Sequence, residues 1–330
     1  MDQQATSEGR IPSLHVVADS IPQAYYRAMK AVWEHGMAIR TEYDRKDESG
    51  KYIDPAGRDA RVLIEVRDPF RQPRYPAVSF CEIGVYIAEI MGLKDYRVLP
   101  MEKLKTAIAG DFSSTEWPYT YHQRLFDHPD TDGATVNQID LMLERLVKTP
   151  FSRRAVATTS VPNIDPFLKE DVPCLREIQL RCPEDANGNL VANLSTAWRS
   201  RDLYKAWPDN VVAITFLQSW LAKQLEERMG RKVRVGSYAD YSFSMHIYGQ
   251  DVAAIAGDEA QGMQGFFETF DEETFIARSL PSEIAVEMLV LPQLRNLLTD
   301  RQREQWQFPP ESIEIVERLI EDLEMGRVKA

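Results

Sequence analysis

The chain has 330 residues, of which 44% are hydrophobic and 27% are charged. This balance is typical of a globular protein and excludes a disordered or fibrous chain, and the length suffices for one large α/β domain or two smaller ones. The 39 basic and 51 acidic side chains give a net charge of −12, which disfavours binding to nucleic acids or anionic membranes because both partners are polyanions.

Targeting signals and metal-binding patterns are not evident in the sequence. No run of about 18 apolar residues predicts a membrane span, and the N-terminal MDQQATSEGRIPSLHVV lacks the basic region and apolar core of a secretory signal. The three cysteines (81, 174 and 182) are too few for a disulfide framework, and the five scattered histidines lack zinc-site spacing. We therefore expect a cytoplasmic protein without a metal.

The spacing of apolar and turn-forming residues predicts elements along the whole chain. Residues 1–20 are polar, and we expect them to be a flexible N-terminal segment. The following elements are expected, in chain order: a helix over 20–40, a loop over 41–60, a strand over 61–66, helices over 80–91 and 136–147, strands over 155–159, 174–182 and 190–198, a helix over 209–230 with Asp209 as its N-cap, a strand over 232–250, and helices near 281–298 and 310–325.

Two of these strands carry the next step of the interpretation. Residues 174–182 alternate between apolar and polar side chains, and 190–198 return after the turn signal Asn187-Gly188. Their pairing would bring Cys174 and Arg199, at the far ends of the two strands, close together. With no linker or internal repeat in view, the pattern indicates one α+β domain built around a sheet.

Four short segments keep a recognisable order and spacing. They are SRRAV (152–156), PCL (173–175), RSRD (199–202) with PDN (208–210), and HIY (246–248). Together they resemble the thymidylate synthase superfamily, which includes the bacterial and archaeal thymidylate synthases and the pyrimidine nucleotide hydroxymethylases. The resemblance runs from about residue 20 to 250 and is strongest over 119–250. It implies a thymidylate synthase-like α+β fold with a large mixed sheet covered by helices, as a single catalytic domain over 21–330. Residues 251–330 align poorly with the family, and we expect them to form the C-terminal helical part of this domain.

The resemblance assigns Cys174 as a nucleophile. A pyrimidine is not nucleophilic enough at C5 to attack a one-carbon donor, whereas a thiolate that adds at C6 turns C5 into an enolate-like carbon. Nearby positive charge, for which Arg199 is the candidate, favours the thiolate. A lone cysteine is more often a small buried apolar residue, and we interpret Cys81 and Cys182 in that structural way.

Arginine residues match the family's phosphate site. Guanidinium groups fit phosphate oxygens, and Arg199 and Ser200 occupy the phosphate-binding positions. Arg153 and Arg154 match the paired arginines that reach into the neighbouring subunit's site, which implies a homodimer with shared active sites. Without the surrounding motifs, we would interpret this arginine pair as part of a solvent-exposed turn.

Further positions match the family's base and sugar contacts. Asn210 matches the base-reading asparagine, whose carboxamide offers one donor and one acceptor to uracil O4 and N3–H. A flipped amide would also serve cytosine. His246 and Tyr248 match the pair that binds the 3′-hydroxyl, and on a strand both point to one face. The alternatives are an ordinary residue in the first turn of a helix for Asn210 and a satisfied core histidine for His246.

The remaining matches concern the folate donor and proton transfer. Asp202 matches the carboxylate that binds the pterin ring, and Glu82 matches the glutamate that organises water and proton transfer around O4 and C5. Tyr121 matches the tyrosine that helps to remove the C5 proton. A surface aspartate and a core tyrosine are the alternatives for Asp202 and Tyr121. Arg45 or Arg58 would close on the phosphate, and the sequence does not choose between them.

Several departures from the family pattern leave the product open. Leu175 replaces the histidine of bacterial enzymes, as in the archaeal and hydroxymethylase branches, and Trp198 stands where glutamine is usual. No tryptophan lies between Trp33 and Trp117, and the terminus MGRVKA lacks the family's apolar tail. Without a shield or lid, water would compete with hydride for the methylene intermediate.

The sequence thus predicts a transferase of nucleotide biosynthesis that moves a one-carbon group to C5 of a pyrimidine nucleoside monophosphate. The first expectation is a thymidylate synthase, hence a methyltransferase, that acts on dUMP with 5,10-methylenetetrahydrofolate or a related methylene-pterin. The alternative is a hydroxymethyltransferase acting on dUMP, dCMP or CMP. A non-catalytic nucleotide-binding or RNA-binding relative and a Cys-His hydrolase are less favoured.

Overall fold

The computed structural model describes residues 9–78, 80–100, 103–104, 116–129, 134–168, 172–256, 267–268 and 270–330. The chain divides into two compact units. Unit 1 comprises Met1–Phe80, Ala197–Val211 and Tyr238–Ser282, and unit 2 comprises Cys81–Thr196, Val212–Ser237 and Glu283–Ala330. Among the described residues, no helix combines the length and apolar character needed to cross a membrane.

The fold is α+β, as predicted. The strands are β1 (Ser13–Ala18), β2 (Met37–Ile39), β3 (Gly57–Val66), β4 (His128–Pro129), β5 (Thr135–Val136), β6 (Val156–Thr158), β7 (Leu175–Arg181), β8 (Leu190–Trp198), β9 (Arg201–Asp202) and β10 (Val233–Ile247). The α-helices are α1 (Ile21–His35), α2 (Ile83–Ile90), α3 (Tyr121–Phe126), α4 (Gln138–Lys148), α5 (Ala206–Met229), α6 (Gly249–Ala256), α7 (Glu272–Arg278), α8 (Ser282–Ala285), α9 (Leu291–Leu297), α10 (Asp300–Trp306) and α11 (Pro310–Glu324).

The sheet of unit 1 is mixed. Strand β1 runs parallel to β3, whereas β2 and the second part of β10 are antiparallel to β3. Val62, Ile64 and Val66 are fully buried on one face of β3, and Leu63 on the other face is 39% exposed. This alternation is the strand signal that predicted 61–66, and the strand extends back to Gly57 because β2 and β10 pair with its first residues.

Residues Ser13–Ala18 correct the expectation of a loose N-terminal segment. They form β1, in register with β3 from Ser13 opposite Arg61 to Ala18 opposite Val66. The sequence did not predict this strand because it is short and flanked by polar residues. Pairing with β3 stabilises it, whereas its own composition does not favour a strand. Helix α1 then begins after the N-cap Ser20, whose side chain accepts a hydrogen bond from the backbone N–H of Gln23.

A β-bulge interrupts β10 between Ser242 and Met245. Over this step β10 advances three residues while β3 advances two, from Val62 to Ala60. A bulge changes which face the following side chains occupy. Beyond it, His246 lies opposite Asp59 on β3 and opposite Asp202 on β9.

In unit 2, β6, β7 and β8 are neighbours in the sheet, with β6 antiparallel to β7. The predicted turn between β7 and β8 is confirmed. Gly188 has a φ of +77°, and the carboxylate of Asp185 accepts hydrogen bonds from the backbone N–H groups of Asn187 and Asn189, both at 2.9 Å. This Asx-type turn explains why an Asn-Gly signal marks the hairpin.

Two helix predictions differ from the structure in detail. Helix α5 begins at Ala206, so Asp209 lies within its first turn and is not the N-cap. Pro208 fits there because a residue of the first turn needs no N–H partner within the helix. The helix expected over 281–298 is broken by a π-helical segment at Val286–Val290, next to Pro292, which cannot donate a helical hydrogen bond.

Candidate active site

The candidate residues fall in both units. Unit 2 holds the residues expected to act on the base carbon or to reach a neighbouring subunit: Cys174, Glu82, Tyr121, Arg153 and Arg154. Unit 1 holds those expected to bind the nucleotide and the pterin: Arg199, Ser200, Asp202, Asn210, His246, Tyr248 and the alternatives Arg45 and Arg58. That Cys174 lies near Arg199 stays a prediction from the sequence.

Cys174 differs from the other two cysteines in its surroundings. It is half-buried immediately before β7, whereas Cys81 is exposed and Cys182 is 1% exposed. Burial raises the pKa of the Cys182 thiol to about 12, which makes that thiol a poor nucleophile near neutral pH. The backbone N–H of Leu175 donates to the hydroxyl oxygen of Tyr121 at 3.3 Å, so the structure brings Tyr121 next to the Cys174 loop.

A buried ion-pair network that the sequence did not reveal supports this loop. Arg124 is 1% exposed and donates to Asp165 at 3.0 Å, and Arg176 approaches the other carboxylate oxygen of Asp165 at 3.4 Å. Arg176 also donates to the carbonyl of Pro173 at 3.2 Å. Burial lowers the pKa of Arg124, against the opposing effect of Asp165. The network therefore anchors the residue that precedes Cys174.

The other candidates of unit 2 are surface residues. Glu82 is exposed at the N-cap position of α2, without a side-chain capping hydrogen bond. Arg153 and Arg154 are exposed, and their backbone carbonyls accept hydrogen bonds at 3.0 Å from Gln179 and Arg145. The backbone of the arginine pair is thus fixed while its side chains face outwards. The roles of these three residues stay predictions.

In unit 1, His246 is 8% exposed and lies between polar side chains. Its Nδ1 is 3.5 Å from the Ser244 hydroxyl, which donates to Asp59 at 2.8 Å. Its Nε2 is buried and has no hydrogen-bond partner within the described part of the chain. The Tyr248 ring lies 4.5 Å away, centroid to centroid. Burial lowers the pKa of His246 although Asp59 opposes this, so the ring is neutral near pH 7.

Asp202 is a half-buried carboxylate. Its Oδ1 accepts the backbone N–H groups of Tyr204 at 2.9 Å and Lys205 at 3.1 Å. Burial raises its pKa to about 6, the hydrogen bond from Lys205 opposes this, and the charge of Asp251 adds to it. Because both local bonds go to Oδ1, the second oxygen can accept from a ligand N–H, which suits the pterin role that the resemblance implies.

Asn210 contacts a residue that sequence reasoning missed. Its Oδ1 accepts a hydrogen bond from Arg201 Nε at 3.3 Å. The Arg201 guanidinium is buried, donates to Asp240 at 3.0 Å and lies 3.8 Å from the centroid of the Trp198 ring. Trp207 Nε1 also donates to Asp240, at 3.1 Å. The position of Trp198, noted as unusual in the sequence, thus has a structural role as the platform for Arg201.

The arginine candidates for the phosphate differ in their availability. Arg199 is exposed and Ser200 is half-buried. Arg45 is committed to a bidentate ion pair with Asp54, at 2.5 and 2.9 Å, which raises the pKa of Arg45. Arg58 Nε is buried and makes no hydrogen bond to any described residue, and burial lowers the pKa of Arg58. An anion would therefore find Arg58 more available than Arg45.

Comparisons with known proteins identify the family of the chain. The family model described as Thymidylate synthase matches residues 101–271. The "Putative thymidylate synthase" of Methanocaldococcus jannaschii is 36% identical over 236 residues, which cover 69% of this chain and 88% of that protein. The chain belongs to the thymidylate synthase family. It is therefore an enzyme of one-carbon transfer, from a family that uses methylenetetrahydrofolate, binds nucleotides and is typically dimeric.

Other relatives place the chain within this family. The similarly named protein of Methanosarcina mazei is 27% identical and covers 71% of this chain and 89% of its own length. These archaeal relatives agree with the branch that Leu175 indicated. Thermostable thymidylate synthase A from Bacillus subtilis matches 70% of this chain and 80% of its own length with a TM-score of 0.50 and 17% identity, which supports the predicted fold. No group of three or more potential metal ligands occurs among the residues that the structure describes.

Proposed function

We propose that the enzyme converts dUMP to its 5-methyl product through a covalent bond between Cys174 Sγ and C6 of the base. The observation that carries the proposal is the buried His246 Nε2, which lacks a hydrogen-bond partner within the described residues. Leaving such an atom unpaired costs about 1–3 kcal/mol, and a hydroxyl group of a bound sugar would offset this cost. Tyr248 beside it offers the second contact that the family pattern implies.

The chemical step begins with Cys174. Its thiolate adds to C6, a new C–S bond forms, and the electron pair of the C5–C6 bond moves towards C5 and O4. Methylenetetrahydrofolate supplies the carbon and, for a methyl product, the hydride. Removal of the C5 proton would expel tetrahydrofolate and leave an exocyclic methylene at C5. Hydride transfer to this methylene would give the methyl group and dihydrofolate, and the C6–S bond would break as the C5–C6 double bond re-forms. We assign Tyr121, whose hydroxyl lies beside the Cys174 loop, and Glu82 to the proton transfer. Asp202 would hold a pterin N–H through its second carboxylate oxygen.

The phosphate site completes the nucleotide pocket. We assign Arg199, Ser200 and Arg58 to it, and we assign Arg153 and Arg154 to the site of a second subunit. A homodimer is supported by the outer face of the unit 1 sheet, where Leu63 is 39% exposed and Phe243 is 52% exposed. Exposed guanidinium groups at 153 and 154 are available to such a partner.

The test combines tritium release from 5-³H-dUMP with mass spectrometry of the product. We expect release that depends on methylenetetrahydrofolate and a product that gains a methyl group. Cys174→Ala should lower turnover by at least about 10⁴-fold while dUMP still binds. Cys81→Ala, at an exposed cysteine, is the matched control and should retain turnover. Turnover by the Cys174→Ala variant would refute the covalent mechanism.

A hydroxymethylated product is the alternative outcome of the same assay. The observation that favours it is the lack of a tryptophan between Trp33 and Trp117, where an aromatic shield is expected. If water reaches the exocyclic methylene, hydroxymethyl forms in place of methyl. The product mass separates the two reactions directly.

A further inference from the structure

We propose that Arg201 is a positioning residue that fixes the carboxamide of Asn210 in one orientation, so that the site discriminates between uracil and cytosine nucleotides. The inference rests on the proposed function, because it gives a further determinant of base choice at that same site. Arg201 itself is not required to touch the base.

The argument starts from the direction of one hydrogen bond. A guanidinium N–H donates and never accepts, so the atom of Asn210 that faces Arg201 Nε at 3.3 Å must be the amide oxygen. Rotation of the amide by half a turn would place its NH₂ group against Nε–H. Two donors would then face each other, and the hydrogen bond would be lost.

Arg201 can hold the amide in one orientation only if Arg201 itself is held in place. Two direct contacts do this, and a third contact fixes one of the partners. Its guanidinium is 1% exposed, donates to the fully buried Asp240 at 3.0 Å and lies 3.8 Å from the centroid of the Trp198 ring. Trp207 Nε1 fixes the same oxygen of Asp240 from another direction, at 3.1 Å. Arg201 therefore has little freedom to follow a flipped Asn210.

The consequence for the ligand follows from the two bases. Uracil presents an acceptor at O4 and a donor at N3, whereas cytosine presents a donor at N4 and an acceptor at N3. An amide that rotates freely matches either base. An amide held by Arg201 matches only one of them, and the other base leaves two buried polar groups unpaired, which is the condition for strong discrimination.

The test measures the dissociation constants of dUMP and dCMP by calorimetry. The main variant is Arg201→Met combined with Asp240→Leu, because removing Arg201 alone would leave a buried unpaired carboxylate. We expect the wild-type protein to prefer dUMP by at least about tenfold, and we expect the variant to bring the two constants to within about threefold of each other. Thermal unfolding checks that the variant is folded. If it is not, Arg201→Leu combined with Asp240→Asn, which removes the donor without leaving a buried unpaired charge, replaces it with the same expectation.

Two controls separate positioning from general damage. Trp207→Phe removes one contact to Asp240 but leaves the two direct contacts of Arg201, with Asp240 and Trp198, and the Arg201–Asn210 bond, so it should keep the preference. In an Asn210→Ala background the Arg201 substitution should cause no further change in the ratio. Nucleotide binding with an unchanged preference in the Arg201 variant would overturn this inference alone. Failure of the wild-type protein to bind either nucleotide would overturn the proposed function and this inference with it.

Discussion

Asp202→Asn should stabilise the protein at neutral pH although it removes a residue assigned to the pterin. Asp202 is half-buried, its pKa is raised to about 6 from the ordinary 3.8, and burial is the main cause. The folded state therefore holds a proton up to about pH 6, while the unfolded chain releases it near pH 4. Above pH 6 the carboxylate is charged in both states, and its charge is disfavoured in the folded one.

The expected change in stability follows from the size of the pKa shift of Asp202. One pH unit corresponds to about 1.4 kcal/mol, so a pKa raised from 3.8 to about 6 corresponds to about 3 kcal/mol of destabilisation above pH 6. Because the side chain retains some contact with water, we expect about 1–2 kcal/mol. Asparagine keeps the oxygen that accepts the backbone N–H groups of Tyr204 and Lys205, so the turn should persist.

The assay is urea unfolding of both proteins at pH 7 and at pH 3.5. The variant should be more stable at pH 7 and equal to the wild type at pH 3.5, where Asp202 is protonated in the folded state. Asp47→Asn is the matched control, since Asp47 accepts similar backbone hydrogen bonds but is exposed and has a lowered pKa. Asp47→Asn should give no gain at pH 7. A loss of stability in Asp202→Asn at pH 7 would refute the reasoning.

Two further predictions concern unit 2. Asp165→Ala breaks a buried ion-pair network and should lower the free energy of unfolding by about 3–5 kcal/mol. Asp140→Ala removes an exposed pair at 2.7 Å from Arg228 and should lower it by at most about 1 kcal/mol. Urea unfolding measures both losses, and equal losses would contradict the role of burial. A thiol reagent should modify Cys174 in the folded enzyme and abolish turnover, with protection by dUMP, whereas Cys182 should react only on unfolding, because burial raises its pKa to about 12. Mass mapping of the labelled peptides checks this, and rapid labelling of Cys182 in the folded protein would count against it.

Features that depend on neighbours in sequence could be predicted well. The helical spacing from Ile21 to Val32 gave α1, and the Asn187-Gly188 turn gave the hairpin of β7 and β8, because periodicity and turn chemistry act over a few residues. Strand β1 could not be predicted in this way. Its order comes from pairing with β3, more than 40 residues further along the chain.

The candidate site shows the same division. Asn210, His246 and Asp202 could be found from short motifs, because a motif records which chemical groups are present. Their protonation and orientation could not be found, since these depend on burial and on residues brought together by strand pairing. Nothing in the sequence indicates that Asp240 lies beside Arg201. The two residues come together because β9, which contains Arg201, pairs with β10, which contains Asp240.

The difference between the groups that a motif records and the contacts that orient them bears on how base specificity arises. An asparagine at position 210 is compatible with either pyrimidine, because its amide can present donor and acceptor in either order. The choice must therefore come from whatever fixes that order, and Arg201 is in a position to do so. A relative that keeps Asn210 but lacks an arginine at position 201 would retain the contact with the base but not the hydrogen bond that fixes the amide. Its preference between uracil and cytosine nucleotides should therefore be weaker.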